Sequence, residues 1–183
     1  MPSWSQKELK LKRVNQWKSR PGCKIFVADA GAVRFDIPKS WVVLPDDENV
    51  KIYDKQPPND DCALIMSYFR LPPIDWSELT LVKQLTEATD HADSSEHEYT
   101  KKGDIVEAHR ADLEIAWREM HFIDEKEQRP AISRILVGRR KLIQCLITFD
   151  FWLTDFDRCN PVWQTVIETL TLSQFIHDPT TGR

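Results

Sequence analysis

Glycine is scarce in this 183-residue chain, which contains only five. Catalytic loops usually need the backbone freedom that glycine provides, and neither a Gly-x-Ser-x-Gly nucleophile motif nor a glycine-rich phosphate loop occurs. The sequence therefore gives no support for the common nucleophilic hydrolases or phosphate-binding enzymes. A non-enzymatic role is the leading expectation.

Close cysteine pairs are also missing. The four cysteines, Cys23, Cys62, Cys145 and Cys159, are far apart in sequence, whereas metal and redox motifs use short spacings. Three of them lie in apolar, strand-like runs. We expect buried free thiols rather than disulfides.

Long apolar runs are absent as well. No stretch approaches the roughly 18 uncharged apolar residues that cross a bilayer, and the start of the chain lacks the apolar core of a signal peptide. Hydrophobic residues make up 41% of the chain and charged residues 30%, which is typical of a soluble globular protein. We expect a cytoplasmic protein without a membrane span, folded as a single domain over residues 1–183.

Charge is unevenly distributed along the chain. Residues 1–24 hold seven basic residues against Glu8 alone, although the whole chain carries a net charge of -4. Ser5 and Glu8 form a capping-box pattern, and the sequence predicts a basic N-terminal helix over residues 1–22, closed by Pro21 and Gly22. Because the remainder is acidic, nucleic acid is an unlikely partner.

The stretch Leu142–Trp152 predicts a central strand, because both of its alternating faces carry apolar side chains. Cys62–Leu71 has the same character until its end and should lie beside that strand. Ala131–Val137 and the long alternating segment Ile105–Ile123 should complete an antiparallel meander. A hairpin is predicted at Lys101–Asp104, before the long segment.

Two helices should cover this sheet. Ser77–Thr89 carries leucines at helical spacing, and Val162–Leu172 follows an Asn-Pro start signal. Earlier in the chain, Cys23–Ala28 and Ala32–Ile37 read as a hairpin. We therefore expect an α+β fold, a three-layer α/β/α sandwich around a mainly antiparallel sheet, followed by a polar tail over residues 177–183.

Two local patterns resemble those of the Mog1/PsbP-like group. Phe35–Trp41 (FDIPKSW) is similar to the early Phe-x-Ile-Pro-x-x-Trp strand and turn of that group. Leu146–Phe151 followed by Trp163–Phe175 is similar to its last strand, terminal helix and short Ser-x-Phe tail. The resemblance spans residues 23–176 and implies the sandwich fold.

The resemblance also implies non-enzymatic adaptor proteins. PsbP-type proteins assist photosystem II in the lumen, and Mog1-type proteins bind a small nuclear GTPase. No residues here match a GTPase-binding surface, and no export signal is seen. The resemblance therefore indicates an uncharacterised branch of the group.

Two Glu-x-His pairs are candidates for acid–base chemistry. The period of two places Glu107, His109, Glu119 and His121 on one nominal face of the segment Ile105–Ile123, where each carboxylate could couple to an imidazole. Positions 109 and 121 would lie about 40 Å apart along an extended strand. The alternative to an interaction module is therefore a small-ligand-binding protein or hydrolase, with a pocket beside the Ser77–Thr89 helix and with Glu107 and His109 at its rim.

A polar loop over residues 90–98 contains His91 and His97. Their spacing matches no ligand motif, and a flexible loop loses entropy when it closes around an ion. We predict a solvated loop, and neither a metal nor another cofactor.

Exposed tryptophans and a basic turn are the candidate partner-binding residues. Trp4 and Trp76 lie where the pattern does not demand burial, and tryptophan is often energetically dominant in interfaces. Arg139, Arg140 and Lys141 form a basic turn that could bind an acidic group. We expect an unidentified protein partner, and a monomer or weak dimer.

Overall fold

The computed structural model describes residues 5–46, 48–90 and 99–183. Within these ranges the chain forms two antiparallel sheets and two α-helices. The helices are α1 (Leu81–Asp90) and α2 (Phe156–Thr169). The strands are β1 (Cys23–Ala28), β2 (Val33–Pro38), β3 (Val42–Pro45), β4 (Val50–Tyr53), β5 (Cys62–Arg70), β6 (Tyr99–Lys102), β7 (Val106–Arg110), β8 (Leu113–Asp124), β9 (Arg129–Arg140), β10 (Ile143–Trp152) and β11 (Thr171–Leu172).

Strand β10 lies in the middle of the larger sheet, between β5 and β9, as predicted. The order is β3-β4-β5-β10-β9-β8-β6, and β7 also pairs with β8. Cys145, Ile147 and Phe149 on one side of β10 have no exposed surface. The meander of β8, β9 and β10 is confirmed.

The two faces of this sheet are covered differently. Helix α2 and the small sheet β1-β2-β11 pack on the face that we call inner, where the ring of Trp163 stacks on Phe149 at 6.1 Å. Helix α1 packs on the opposite, outer face, where Leu81 and Leu85 contact Ala116. The three-layer α+β fold is therefore confirmed.

Helix α2 begins earlier than the Asn-Pro signal predicts. It starts at Phe156, so that Pro161 lies inside the helix. Arg158 stabilises the first turn because its guanidinium donates to Asp155 at 3.1 and 3.2 Å. Pro161 is the sixth residue of the helix and has no N–H to donate to the carbonyl oxygen of Asp157. Its fixed φ is nevertheless compatible with a helix.

The segment Ile105–Ile123 was predicted as one strand, and this is wrong. The chain reverses at Ala111, which adopts φ 51°, so β7 and β8 form a hairpin. His109 pairs with Glu114 across that hairpin, and paired residues share a face. The two Glu-x-His pairs therefore lie on opposite faces of the sheet. The hairpin predicted at Lys101–Asp104 is also wrong, because β6 and β7 both pair with β8.

The predicted N-terminal helix is absent from the described residues 5–22. An extended segment runs there instead, along the polar tail, with Lys12 N–H donating to Thr180 O at 3.0 Å and the Trp17 indole donating to Pro179 O at 2.7 Å. Val14 is 77% exposed. The apolar side chain at this position therefore does not pack on the sheet. Backbone bonds from the other end of the chain replace the helix.

Candidate functional site

The outer face of the large sheet is only partly covered. Seven strands side by side are roughly 29 Å wide, whereas a helix is about 10 Å in diameter. Helix α1 packs over β8 and β9. Among the described residues, no helix lies over β4 and β5, so this part of the outer face is open.

A cavity of about 410 Å³ occupies the uncovered area. It opens to solvent beside Leu146, which itself packs against the α1 cluster. The backbone register places Ile65 opposite Thr148, and Ser67 opposite Leu146. We call this cavity the sheet groove, and it is lined by Glu48, Asn49, Ile65, Ser67, Phe69, Leu146 and Thr148.

The loop over residues 71–80, which we call the Trp76 loop, crosses the same face at one end of the sheet groove. Arg139 donates to the carbonyl oxygens of Leu79 at 3.0 Å and of Trp76 at 3.4 Å. Its guanidinium also forms an ion pair with Glu114 at 2.9 Å. Arg139 lies opposite Gln144, and Gln144 lies opposite Phe69. Arg139, Gln144 and Phe69 thus form a row across three neighbouring strands. Arg139 holds the Trp76 loop at one end of this row, and Phe69 lies at the other.

Three large apolar side chains are exposed where β5 ends, in the Trp76 loop that follows it, and just before β10. Phe69 is 54% exposed, Ile74 61% and Leu142 44%. Leu71 N–H donates to Leu142 O at 2.8 Å, which joins the start of the loop to the start of β10.

The predicted basic turn does not form one charged surface. Arg139 and Arg140 point to opposite faces because neighbouring residues of a strand alternate. Arg140 forms an ion pair with Asp112 at 2.6 Å and donates to Leu172 O at 2.9 Å. Lys141 is exposed in the turn that follows. Both arginines stabilise the fold through internal bonds.

Of the two predicted partner-binding tryptophans, the structure describes Trp76 but not Trp4. Trp76 lies half-buried beside the sheet groove, where its indole donates to Pro72 O at 3.1 Å. Trp4 falls outside the described residues. His91 and His97 also fall outside them.

Glu107 and His109 lie on β7, where their side chains are 57% and 66% exposed and 4.0 Å apart. Neither residue lines the sheet groove. A smaller cavity of about 130 Å³ lies near the start of β8, and neither residue lines that one. Arg110, which does line it, donates to the carbonyl oxygens of Ile167 and Leu170 at 2.8 Å and so caps the end of α2.

Glu119 and His121 belong to a partly buried charge cluster on the inner face. His121 Nε2 lies 2.9 Å from Glu119 Oε1, and Glu119 Oε2 accepts from Arg134 at 2.8 Å. Burial favours the protonated carboxyl, but the hydrogen bonds from His121 and Arg134 outweigh it and lower the pKa of Glu119. Arg134 is only 2% exposed, and sequence reasoning did not single it out.

Aromatic rings enclose Arg134. The guanidinium carbon lies 5.3 Å from the ring centre of Phe151, 5.3 Å from that of Phe156 and 5.7 Å from that of Trp117. Cation–π attraction and the ion pair to Glu119 together offset the cost of burying this charge. The ion pair and the ring contacts therefore account for the burial of Arg134, while its Nη1 has no hydrogen-bond partner among the described residues.

Metal binding and membrane insertion are two further functions that can be compared with the described residues, 5–46, 48–90 and 99–183. No group of three or more His, Cys, Asp or Glu side chains suited to a metal ion is found in these ranges. Within the same ranges, the helices are too short or too polar to cross a membrane.

The fold is similar to that of the Mog1/PsbP-like proteins. The solution structure of the PsbP protein CyanoP from Synechocystis matches with a TM-score of 0.55 and 11% identity, covering 84% of this chain and 94% of that one. The Ran-binding protein Mog1p of Saccharomyces cerevisiae matches with a TM-score of 0.50 and 11% identity, covering 82% and 95%. A Bacteroides thetaiotaomicron structure matches with a TM-score of 0.55 and 15% identity over 82% of this chain, which spans about half (48%) of that protein.

Within that fold, sequence defines a narrower group. Residues 24–176 match the Alr1449 family, so the chain belongs to this family. Uncharacterized protein alr1449 of Nostoc sp. PCC 7120 is 41% identical over 180 residues, which is 98% of this chain and 92% of that protein.

Proposed function

We propose that this protein is a cytosolic, non-enzymatic accessory module that binds a protein partner through the sheet groove and the Trp76 loop. The observation that carries this proposal is the open groove lined by Phe69, together with the exposed side chains of Ile74 and Leu142. Half-buried Trp76 lies at its end, within reach of the same partner. Exposed aromatic and aliphatic anchors of this kind dominate binding energy in protein interfaces.

The shape of the groove favours a protein over a small molecule. Small-ligand sites typically enclose 70–90% of their ligand, whereas this groove lies on a sheet surface and is open to solvent. The exposed side chains on the rim extend the apolar area beyond the cavity. A protein segment lying across the face would cover both parts.

Charge indicates the chemistry of that segment. Glu48 lines the groove, and Asp46 lies at the start of the same β3–β4 turn, where it pairs with Lys51 at 2.8 Å. The chain as a whole carries a net charge of -4. A partner segment with an apolar face and flanking Lys or Arg residues is complementary to this surface.

Two observations on the described residues support the remaining parts of the proposal. Cys23, Cys62, Cys145 and Cys159 are free thiols, as expected in a reducing compartment. The groove side chains include no nucleophile–base pair, which is the arrangement that hydrolysis would need. Cell fractionation of a tagged protein tests the cytosolic location, and membrane or lumenal recovery would contradict it.

Affinity capture from the native lysate tests the interaction. The wild type is run beside Phe69→Ser and beside Phe175→Ser, a control of the same residue type that is 60% exposed. The ring of Phe175 packs on Arg70, whose side chain points to the face opposite that of Phe69. We expect one partner that the wild type and the control retain and that Phe69→Ser loses at least about tenfold. Equal recovery with all three proteins would contradict the assigned surface.

A small apolar ligand is the second candidate, because the volume of about 410 Å³ falls within the usual range for ligand cavities. Native mass spectrometry of freshly purified protein distinguishes the two candidates. A bound molecule that is lost in Phe69→Ser would favour the ligand. A bare chain together with a captured partner would favour the interaction module.

A further inference from the structure

The segment over residues 5–14, which we call the basic strap, leaves its apolar side chains in water. Every residue of the strap is exposed, and Leu9 and Leu11 are 49% and 48% exposed. Within the described residues, no backbone hydrogen bond ties residues 5–11 to the rest of the chain. This part of the strap therefore has both its backbone and its leucines available to a partner.

The strap also carries charge that its own molecule does not neutralise. Lys7, Lys10 and Arg13 form no ion pair with any residue that the structure describes. The bases of the strap belong to a chain whose remainder is acidic, since the total charge is -4. A basic segment on an acidic chain is complementary to another copy of the same chain.

The order of residues in the strap fits the chemistry expected of a segment that binds the sheet groove. Side chains alternate along an extended backbone, so Leu9 and Leu11 share one side. Lys7 precedes this pair, and Arg13 follows it. The strap is thus an apolar pair flanked by bases.

The sheet groove offers the complement of this pattern. Its apolar lining includes Ile65, Phe69 and Leu146, and Glu48 lies at its rim. Ile65 and Phe69 are about 13 Å apart along β5, whereas the two leucines of the strap are about 7 Å apart along an extended chain. The leucine pair therefore fits within the apolar length of the groove, and the flanking bases extend toward the acidic rim.

The strap lies on the side of its own molecule that is away from its own groove. Glu8 is 3.8 Å from Lys24 on β1, and β1 belongs to the small sheet on the inner face. Lys12 and Trp17 are bonded to the polar tail, which fixes the end of the strap there. The groove is on the outer face, so a strap that meets it comes from a second molecule.

We propose that the sheet groove binds the basic strap of a second copy of this chain, and that two copies exchange straps in a closed dimer. This inference rests on the proposed function of the groove, to which it adds a competing occupant. Two-fold exchange places each strap in the groove of the other copy, so both grooves are filled and no further copy is added. A protein partner must then displace the strap.

Sedimentation equilibrium of the full chain tests the dimer. We expect a reversible monomer–dimer equilibrium at low ionic strength, where the charges of the strap are least screened. The double variant Leu9→Ser/Leu11→Ser and the groove variant Phe69→Ser should each raise the dissociation constant at least about tenfold. The controls Leu153→Ser and Phe175→Ser change positions that are 42% and 60% exposed, and they should leave it unchanged. A wild type that is monomeric at every concentration would overturn the inference, as would equal dimerisation by all variants.

Mixing the two defective variants tests whether the strap meets the groove. The double variant keeps its groove and Phe69→Ser keeps its strap, so one of the two contacts can still form between them. We expect heterodimers in the mixture at a concentration where each variant alone is monomeric. A mixture with no more dimer than its components would overturn the inference, because the strap and the groove would then not bind each other.

Affinity capture separates this inference from the proposed function. The double variant should capture the protein partner at least as well as the wild type, because no strap competes for its groove. Weaker capture would overturn the inference, since the strap would then bind the partner itself. A monomeric wild type whose partner is lost in Phe69→Ser would overturn the exchange of straps and leave the proposed function standing. A dimer lost in Phe69→Ser beside unchanged partner recovery would contradict the proposed function and support the exchange.

Discussion

Arg134 is the residue on which the inner face most depends, since a guanidinium that is 2% exposed needs compensation for its lost hydration. Glu119 supplies the opposite charge, and four aromatic rings lie within 6 Å of the guanidinium carbon. His121 holds the second carboxylate oxygen. The cluster works as one unit, so its members should respond to substitution together.

Substituting Arg134 with alanine should lower the free energy of unfolding by about 3–5 kcal/mol, because it leaves a cavity and a partly buried carboxylate. Arg134→Met keeps much of the volume and should cost clearly less. Urea denaturation measures both. Equal losses would show that the charge, rather than its packing, accounts for the effect.

The Glu119 carboxyl should make stability depend on pH. Its pKa is lowered in the folded state from an ordinary value of 4.5, so its contribution is present above that value and is lost as pH falls through the folded pKa. The difference in unfolding free energy between the wild type and Glu119→Gln should therefore shrink between about pH 6 and pH 3. A difference that stays constant or grows on acidification would contradict this assignment.

At the scale of elements, Gly31 forms the close contact between the β1–β2 turn and the chain after β11. It adopts φ +99°, and an added Cβ would lie 1.9 Å from Gln174 O. Gly31→Ala should cost more than about 2 kcal/mol of unfolding free energy. Gly22→Ala is the control, because its φ is +76° but open space surrounds it, so that only the backbone strain of about 1 kcal/mol remains. Similar losses for both would contradict the close-contact explanation.

The Trp76 loop should depend on Arg139. Removing that guanidinium frees the carbonyl groups of Trp76 and Leu79, so Arg139→Ala should lower stability by about 1–3 kcal/mol and weaken partner binding. Arg140→Ala is the matched control, since it breaks comparable bonds on the opposite face. The variants are compared by tryptophan fluorescence and partner capture. Equal binding by both would show that the loop is not part of the interface.

Strand patterns were largely readable from sequence, and turns were less so. The two apolar faces of β10 and β5 come directly from alternation in the chain. The reversal at Ala111 was missed because alanine in the left-handed region carries no turn signal, unlike glycine or asparagine. The N-terminal helix was predicted from local signals, a capping box and a Pro-Gly end, whereas residues near Thr180 provide the competing backbone partners.

The candidate site was readable only in part. Trp76 was singled out from sequence, but the groove depends on which strands α1 leaves uncovered, and a one-dimensional pattern does not report that. Phe69 carried a weak signal, since an aromatic residue ends a strand on the face that turns polar at Ser67. Arg139 was read as a surface charge because its acceptors are carbonyl groups of a distant loop.

At the scale of the whole molecule, the asymmetry between the two sheet faces links fold to function. The inner face is covered by α2 and a second sheet, while on the outer face the described residues place α1 and the Trp76 loop over part of the strands. The uncovered part of the outer face carries the apolar side chains of Ile65, Phe69 and Leu146, with Glu48 at one rim.

Hydroxyl-radical footprinting of the protein with its captured partner tests this account most directly. Phe69, Ile74 and Leu142 are exposed in the free chain and should become protected in the complex, while the control positions Phe175 and Val106 keep their reactivity. Protection at Phe175 or Val106, with Phe69 and Ile74 unchanged, would contradict the claim that the sheet groove is the partner-binding surface.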